Sequence, residues 1–483
     1  MNNPFAPRRY GELQKITDKV YIFRNITNSS FVIGDRGVAV IDTQVNGPLA
    51  RELLKAVRSV TDKPILYAIN THYHWDHTNG NQIFKNEGAQ VLSSALTRKF
   101  MVVRHDRQKE FLAGRGFEME HDPLLPEKTF EGRTQIDLGD QTLRLFFAGE
   151  AESDDATAIH VPAESVLMSG DTIMTGSFPI FGQPVWDEGL QGDGKWEAAI
   201  ARLMDLKPAH IVPGHGPLAK EADIARLLEI QDYFTTEVRR LIEKGMGLPD
   251  ILKDLEARLP EWMKSIPLVW GTPRYAILRV FRGLTKKPQD AQPGWQRFKP
   301  SVIPFAGETL LSSALKNKET AEDFLDMARQ AQEGGDLALK ISILKKGAEI
   351  FGSADILTAY AESLIEASRA ESSVLEKGDF FDIARKCWDR ALAATPGYLP
   401  ALLGKGRYLT MMAYHGGDNP RVGMKLLEEV LSRRPGGQIE AEAHFYLGMG
   451  FRRLGQEGKA KERFEQALEF DPGFMPAVMA KSC

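Results

Sequence analysis

Four side chains able to bind a metal fall within six residues of this chain, in His72-Tyr73-His74-Trp75-Asp76-His77. Three imidazoles and a carboxylate this close together suit neither a hydrophobic core nor a solvated surface, and they constrain the fold around them. The residues just before, Pro64-Ile65-Leu66-Tyr67-Ala68-Ile69-Asn70, form a short apolar run that reads as a buried strand. The ligands then stand on the loop at the strand's C-terminal end, where a rigid scaffold presents its chemistry. Side chains two apart in extended backbone point the same way, so His72 and His74 can converge on one ion. Asp76 and His77 lie past the strand, where the chain turns, and can face a second ion. That arrangement suits a two-metal site with ions about 3.5–4 Å apart and water between them. Imidazole and carboxylate are good ligands for Zn²⁺, and also for Mn²⁺ or Fe²⁺.

Up to about residue 220 strand-like and helix-like patterns alternate, as in α/β proteins. Val20-Tyr21-Ile22-Phe23, Ser30-Phe31-Val32-Ile33 and Gly37-Val38-Ala39-Val40-Ile41 read as early strands, with a hairpin turn at Gly34-Asp35-Arg36-Gly37. Residues 48–60 read as an amphipathic helix ahead of the ligand strand. The order suits an αββα sandwich whose loops hold the metals.

The ligand motif resembles the signature of the metallo-β-lactamase superfamily, and two later segments continue the resemblance. Ser165-Val166-Leu167-Met168-Ser169-Gly170-Asp171 is similar to the apolar strand that leads to an Asp bridging both ions. Ile211-Val212-Pro213-Gly214-His215-Gly216-Pro217 is similar to the PGHG-like turn that supplies a late His. Most members also place a His in a GHTPG-like segment ahead of the bridging Asp. Here that stretch reads Ala148-Gly149-Glu150-Ala151-Glu152-Ser153-Asp154-Asp155. Counting back without a gap from Val161-Pro162 puts Glu152 where the His would be, with Glu150 as the alternative one step along the same face. His160 reads as a residue of the following strand. A Glu at this position is a feature of the alkylsulfatase-like branch, the type III sulfatases, and Glu152-Ser153-Asp154-Asp155 resembles that branch's GETDD-type variant.

The resemblance implies a metallo-β-lactamase αββα sandwich and a ligand set for two Zn²⁺ ions, with Mn or Fe as alternatives. His72, His74 and Glu152 would hold the first ion, Asp76, His77 and His215 the second, and Asp171 would bridge them. Catalytic roles fall on Asp76 and Asp171. The implied activity is cleavage of alkyl or aryl sulfate esters by a metal-activated water, on a small anionic organic substrate. A lactone, thioester, β-lactam or phosphodiester is the alternative substrate. A carboxylate in place of an imidazole adds one negative charge. With Asp76 and Asp171 it offsets three of the four positive charges of two divalent ions, which makes a weaker Lewis acid.

The last third carries repeats. Residues 441–472 match the tetratricopeptide pattern, with Leu447-Gly448 and Phe451 on the first helix and Ala460, Phe464 and Ala467 on the second, before Pro472. His444 replaces the usual early aromatic. Weaker copies run through Ala384, Trp388, Ala391 and Pro396, and through Gly423, Leu427, Val430 and Pro435. Such an array can bind peptides, which gives a reading of another class: a scaffold whose metal site is vestigial. A complete ligand set argues against that. The alkylsulfatase-like branch follows its catalytic domain with a helical dimerisation region, part of which Ser372-Ser373-Val374-Leu375-Glu376-Lys377-Gly378 resembles, so a homodimer through the helical C-terminal region is implied. The expected organisation is a catalytic domain at 1–225, a helical extension and linker at 226–304, and an all-α tetratricopeptide-like domain at 305–483.

Composition excludes several functions. A net charge of −4 over 483 residues gives no nucleic-acid signal, and no segment is long and apolar enough to span a bilayer. The N-terminus has no apolar signal-peptide core. With only Cys387 and Cys483, a cytoplasmic location is expected, or a secreted or periplasmic one if a signal peptide has been removed.

Other groups carry weaker readings. Arg98, Lys99, Arg104, Arg107, Lys109 and Arg115 could draw in an anion but read first as a solvated face. The aromatic loop from Gly176 through Phe178, Phe181 and Trp186 is a candidate wall for the substrate's organic part, or a connection anchored by packing. Arg274 and Arg279 are suggestions for gripping a sulfate. His105, His121, His210, His415 and His444 have no companion ligands nearby and read as surface or packing residues. Of these, His105 is the first to examine near a leaving group.

Overall fold

The computed structural model describes residues 3–114, 122–182, 192–285, 303–316, 318–370 and 374–483. Arg115, His121, residues 183–186 of the expected wall, the linker at 286–302 and the Ser372-Ser373 pair lie outside them. The chain divides into two compact units, one of Tyr10–Phe111 and Met119–Pro300, the other of Met1–Arg9, Leu112–Glu118 and Ser301–Cys483.

The first of these units is built on two sheets. One has seven strands in sequential order: β1 (Glu12–Lys15), β2 (Val20–Arg24), β3 (Ser29–Ile33), β4 (Val38–Ile41), β5 (Ile65–Ile69), β6 (Gln90–Ser94) and β7 (Lys128–Phe130). The other holds β8 (Arg133–Asp137), β9 (Thr142–Gly149), β10 (Ala156–Val161), β11 (Val166–Met168) and β12 (His210–Val212), ordered β12-β11-β10-β9-β8. Strands joined by tight turns pair antiparallel, as β3 does with β4 across Gly34–Gly37. Those joined through helices pair parallel, as β4 does with β5 around the helix Gly47–Arg58. That helix starts where the Asn46 side chain accepts from Leu49 N, with a proline in its first turn.

Alternation along the strands sorts side chains into two layers. Ala39 and Ile41 of β4 join Val20, Ile22, Leu143, Leu145, Ile159 and Val166 in a core between the sheets. Val38 and Val40 face the other way, against Leu53 and Val57 of the helix Gly47–Arg58. On the far side the helix Lys195–Met204 covers the second sheet, its Trp196 and Ala199 buried. This is the αββα sandwich that the sequence predicted. The strand β1, ELQK, carries no apolar signal because it is a partly exposed edge strand. Residues 95–114 are helical, in the segments Ala95–Val103 and His105–Gly114. The long helix Glu221–Glu243 follows β12.

The other unit is helical. Its later helices, Leu399–Gly416, Arg421–Ser432, Gly437–Arg453, Glu457–Phe470 and Met475–Lys481, stack in sequence. The repeat residues Ala384, Trp388, Ala391, Leu427, Val430, Ala460, Phe464 and Ala467 are all buried. Gly448 shows why the pattern needs a small residue: a Cβ there would meet the Phe464 ring at 2.4 Å. Residues 3–8 lie on this unit. The Phe5 ring meets Phe445 edge-on at 5.3 Å, and its carbonyl accepts from Arg452 at 2.6 Å. No described helix is long and apolar enough to cross a membrane.

Candidate metal centre

The strand ends deliver the functional side chains to one place. His72 and His74 leave the end of β5, and His74 caps a single-turn helix, Trp75–Thr78, that carries Asp76 and His77. Glu152 lies on the loop between β9 and β10, Asp171 in a 3-10 turn after β11, and His215 on the turn after β12. His72, His74, Glu152 and Asp171 form one cluster and Asp76, His77 and His215 another, the donor atoms of each lying within 4.8 Å of one another. All seven predicted ligands are thus brought together. Glu152 Oε2 is 3.3 Å from His74 Nδ1 and buried. Glu150, the alternative, is exposed and pairs with Lys195.

Asp171 stands between the clusters. Its Oδ1 is 3.3 Å from His77 Nε2, and its Oδ2 is 3.2 Å from His215 Nε2 and 3.8 Å from His72 Nε2. Donors around a tetrahedral ion with bonds of about 2.0–2.1 Å stand roughly 3.3 Å apart, so this spacing fits a metal. The PGHG turn has a steric reason for its first glycine: a Cβ on Gly214 would sit 1.8 Å from Asp171 Oδ1.

Outer hydrogen bonds set the imidazoles. His77 Nδ1 donates to Asp42 Oδ2 at 2.8 Å, and His215 Nδ1 donates to the Ile26 carbonyl at 2.6 Å. Thr71 Oγ1 donates to Asp42 Oδ2 at 2.9 Å, so it accepts from His72 Nδ1 at 2.9 Å. In each ring Nδ1 is committed outward and Nε2 is aimed into the cluster. The Nε2 of His72 is buried and makes no hydrogen bond, the condition of a ligand atom. Thr27 Oγ1 donates to Asp76 Oδ2 at 2.9 Å, and Asn28 Nδ2 holds the His215 turn through the carbonyls of Pro213 and Gly216 at 2.9 and 2.7 Å.

Metal-free, the two clusters hold protons differently. Burial, reinforced by the charges of His77 and His74, keeps His72 well below the usual imidazole value. Burial also opposes protonation of His77, but Asp171, Asp76 and Asp42 outweigh it and raise that ring well above. For His215 burial is again outweighed, by Asp171 and Asp76, and the imidazole is pushed up to about 10. Burial alone would raise Asp76 and Asp171; facing His77 and His215, both carboxyls are instead lowered. The second cluster therefore keeps protons where cations fit.

Two residues at the site were not singled out from the sequence. Asp42, at the end of β4, orients rings of both clusters. Trp270, half-buried, lies with its ring 4.9 Å from that of His215. Its segment is pinned by Ser177 Oγ, which accepts from Val269 N and Trp270 N at 3.0 and 3.2 Å.

The weaker candidates mostly go elsewhere. Phe178 and Phe181 of the expected wall are fully buried against Phe234 and Trp196, so these two rings anchor the loop instead of lining a site. Arg274 forks onto Glu256, and Arg279 is buried, donating to the Phe181 carbonyl at 2.7 Å. His105 and Lys109 pair with Asp122 at the surface. His160 is a β10 residue, opposite Leu167 and Arg144. His415 and His444 belong to the helical unit.

Residues 22–215 match the family model of the metallo-beta-lactamase superfamily, and residues 441–474 match that of the tetratricopeptide repeat. The chain is 28% identical over 209 residues to the 2,4-dinitroanisole O-demethylase subunit alpha of Nocardioides sp. (strain JS1661), across 42% of its own length and 55% of that protein. It is 23% identical over 286 residues to the linear primary-alkylsulfatase of Pseudomonas sp. (strain ATCC 19151), across 51% of its length and 53% of that protein. The chain thus spans only about half the length of either relative. The solved structure of the stereoselective inverting sec-alkylsulfatase Pisa1 from Pseudomonas sp. superposes with a TM-score of 0.57 at 15% identity, covering 82% of this chain and 70% of that one. At this identity the likeness is one of fold.

Proposed function

From a metallo-β-lactamase superfamily domain joined to tetratricopeptide-type helices, we propose a two-metal hydrolase of alkyl or aryl sulfate esters. His72, His74 and Glu152 would hold one divalent cation, Asp76, His77 and His215 the other, and Asp171 both. Bound there, the cations supply Lewis acidity and lower the pKa of water. The chain's own residues do the rest. Asp42, Thr71 and the Ile26 carbonyl hold the rings of His77, His72 and His215 in orientation. Asp171 sets the separation of the clusters. Trp270 offers an apolar face beside His215 for the substrate's organic group.

The observation that carries the sulfate-ester reading is Glu152, buried against His74, in the position where the resemblance to the superfamily would lead one to expect a histidine. The alkylsulfatase relative supports it. A second reading comes from the O-demethylase relative, whose named substrate is an aryl methyl ether; the same site would then cleave an aryl ether.

The test is a substrate panel on metal-quantified protein: primary and secondary alkyl sulfates, 4-nitrophenyl sulfate, a lactone, a thioester, a β-lactam, a phosphodiester and 2,4-dinitroanisole. Release of sulfate is expected. No turnover of any sulfate ester, with clear turnover of another member, would sink the reading. In ¹⁸O-labelled water, label in the alcohol product would mean attack at carbon, and label in the sulfate attack at sulfur. The helical unit is proposed to dimerise, and light scattering at the mass of a single chain would count against that.

A further inference from the structure

Arg104 follows the helix Ala95–Val103 and comes from the basic cluster that reads in the sequence as a solvated face. The structure gives it a different environment from its neighbours. Its side chain is only 14% exposed. The guanidinium lies 3.9 Å over the Phe100 ring and 4.9 Å over the Tyr73 ring, and its Nη2 is 3.2 Å from Asp154 Oδ2. Tyr73 is 1% exposed, sits between His72 and His74 in sequence, and meets the His74 ring edge-on at 4.6 Å. Asp154 follows Glu152 by two residues, on a loop tightened by Ala151 N donating to the Ser153 carbonyl at 2.9 Å.

We propose that Arg104 is a positioning residue that clamps the His72–His74 loop to the Glu152 loop and so sets the geometry of the first half-site. The two loops come from different sheets, after β5 and after β9, and the first half-site exists only if they keep register. A planar guanidinium can stack on aromatic rings and bond a carboxylate in its plane at once, which an ammonium cannot. The second half-site has its own supports in Ile26, Thr27 and Asp42, so the clamp acts on one cluster and not the other. The link to metal rests on the two-ion reading above; the clamp itself does not.

The experiment has two arms on the full chain, with R104A, R104K and D154N. In metal-free protein, hydrogen exchange at residues 71–75 and 150–155 should quicken by about tenfold in R104A, with the His215 turn unchanged. In the titration of metal-free protein with Co²⁺, one of two affinities should weaken by about 10–100-fold and the other hold, D154N should behave alike, and R104K should fall between. Unchanged exchange at both loops, or equal quickening at the His215 turn, overturns the clamp, as does equal weakening of both affinities. If R104A fails to fold, R104K and D154N give the same two readouts. A wild-type chain that binds no Co²⁺ overturns the two-ion reading, and the exchange arm still decides the clamp.

Discussion

Asp42 Oδ2 stands 2.8 Å from His77 Nδ1, and the same carboxylate takes hydrogen bonds from Thr71 N and Thr71 Oγ1 at 2.8 and 2.9 Å. Because Thr71 in turn holds His72, one side chain orients rings of both clusters. Its backbone has φ 58, in the left-handed region that costs a non-glycine residue energy. D42N keeps the shape and loses the charge. It should weaken metal affinity by about 10–100-fold, measured by competition with a chelator. Wild-type affinity would mean that Asp42 only supports the fold.

Glu152 and Glu150 are two residues apart and differ in setting. E152Q removes a buried carboxylate from the first cluster and should lose one bound ion of two. E150Q alters an exposed group paired to Lys195, and its stability should stay within about 0.5 kcal/mol of wild type. Metal content and thermal unfolding of both variants check this. Loss of metal in E150Q but not E152Q would exchange their roles.

Metal binding should strengthen with pH. His77 is raised and His215 pushed up to about 10, so at neutral pH a cation must displace their protons, whereas His72 is lowered and has none to lose. Affinity should climb from pH 6 toward 10, and calorimetry in buffers of different ionisation enthalpy should show protons released. In the metal-free protein the sign reverses. The raised imidazoles contribute stability that is complete below about 6.5 and lost as pH rises through their folded values. The lowered carboxyls of Asp76 and Asp171 contribute above about 3.9 and lose it in acid. A pH-independent affinity would contradict the account.

The candidate metal centre was legible in the sequence because its His, Asp and Glu residues follow apolar strands at short spacing, and the packing of the two sheets brings the ends of β5, β9, β11 and β12 together. Asp42 was harder, although a signal existed: it ends the apolar run Val38–Ile41 much as Asp171 ends Val166–Met168. Nothing local marks a single Asp as a support for a ring 35 positions later. Trp270 depends on a loop-to-loop contact through Ser177, which no periodicity reports. The aromatic loop left two readings open for a related reason, since composition does not say whether Phe178 and Phe181 face a site or a core, and the structure selects packing for these two rings. Arg104 was hidden in a run of basic residues, one of which, Lys109, does pair at the surface with Asp122.

In the helical unit, Arg452 is the side chain to remove. It is 1% exposed, donates Nε to Glu457 at 3.0 Å and Nη1 to the carbonyls of Phe5 and Ala480, and lies 4.9 Å over Phe464. R452A leaves both carbonyls without this donor while the Glu457 carboxylate, 39% exposed, is taken up by water, and should cost about 1–3 kcal/mol in the unfolding of that unit. Residues 3–8 should become more open to proteolysis. An unshifted transition would show that the terminal repeat does not depend on this contact.

The most direct test of the two-ion centre is elemental analysis of full-length protein reconstituted with zinc, manganese or iron and then dialysed. The account predicts two ions per chain in the wild type and fewer in D171N, because Asp171 faces both clusters. Less than one ion per chain with every metal would contradict it and return the site to a vestige.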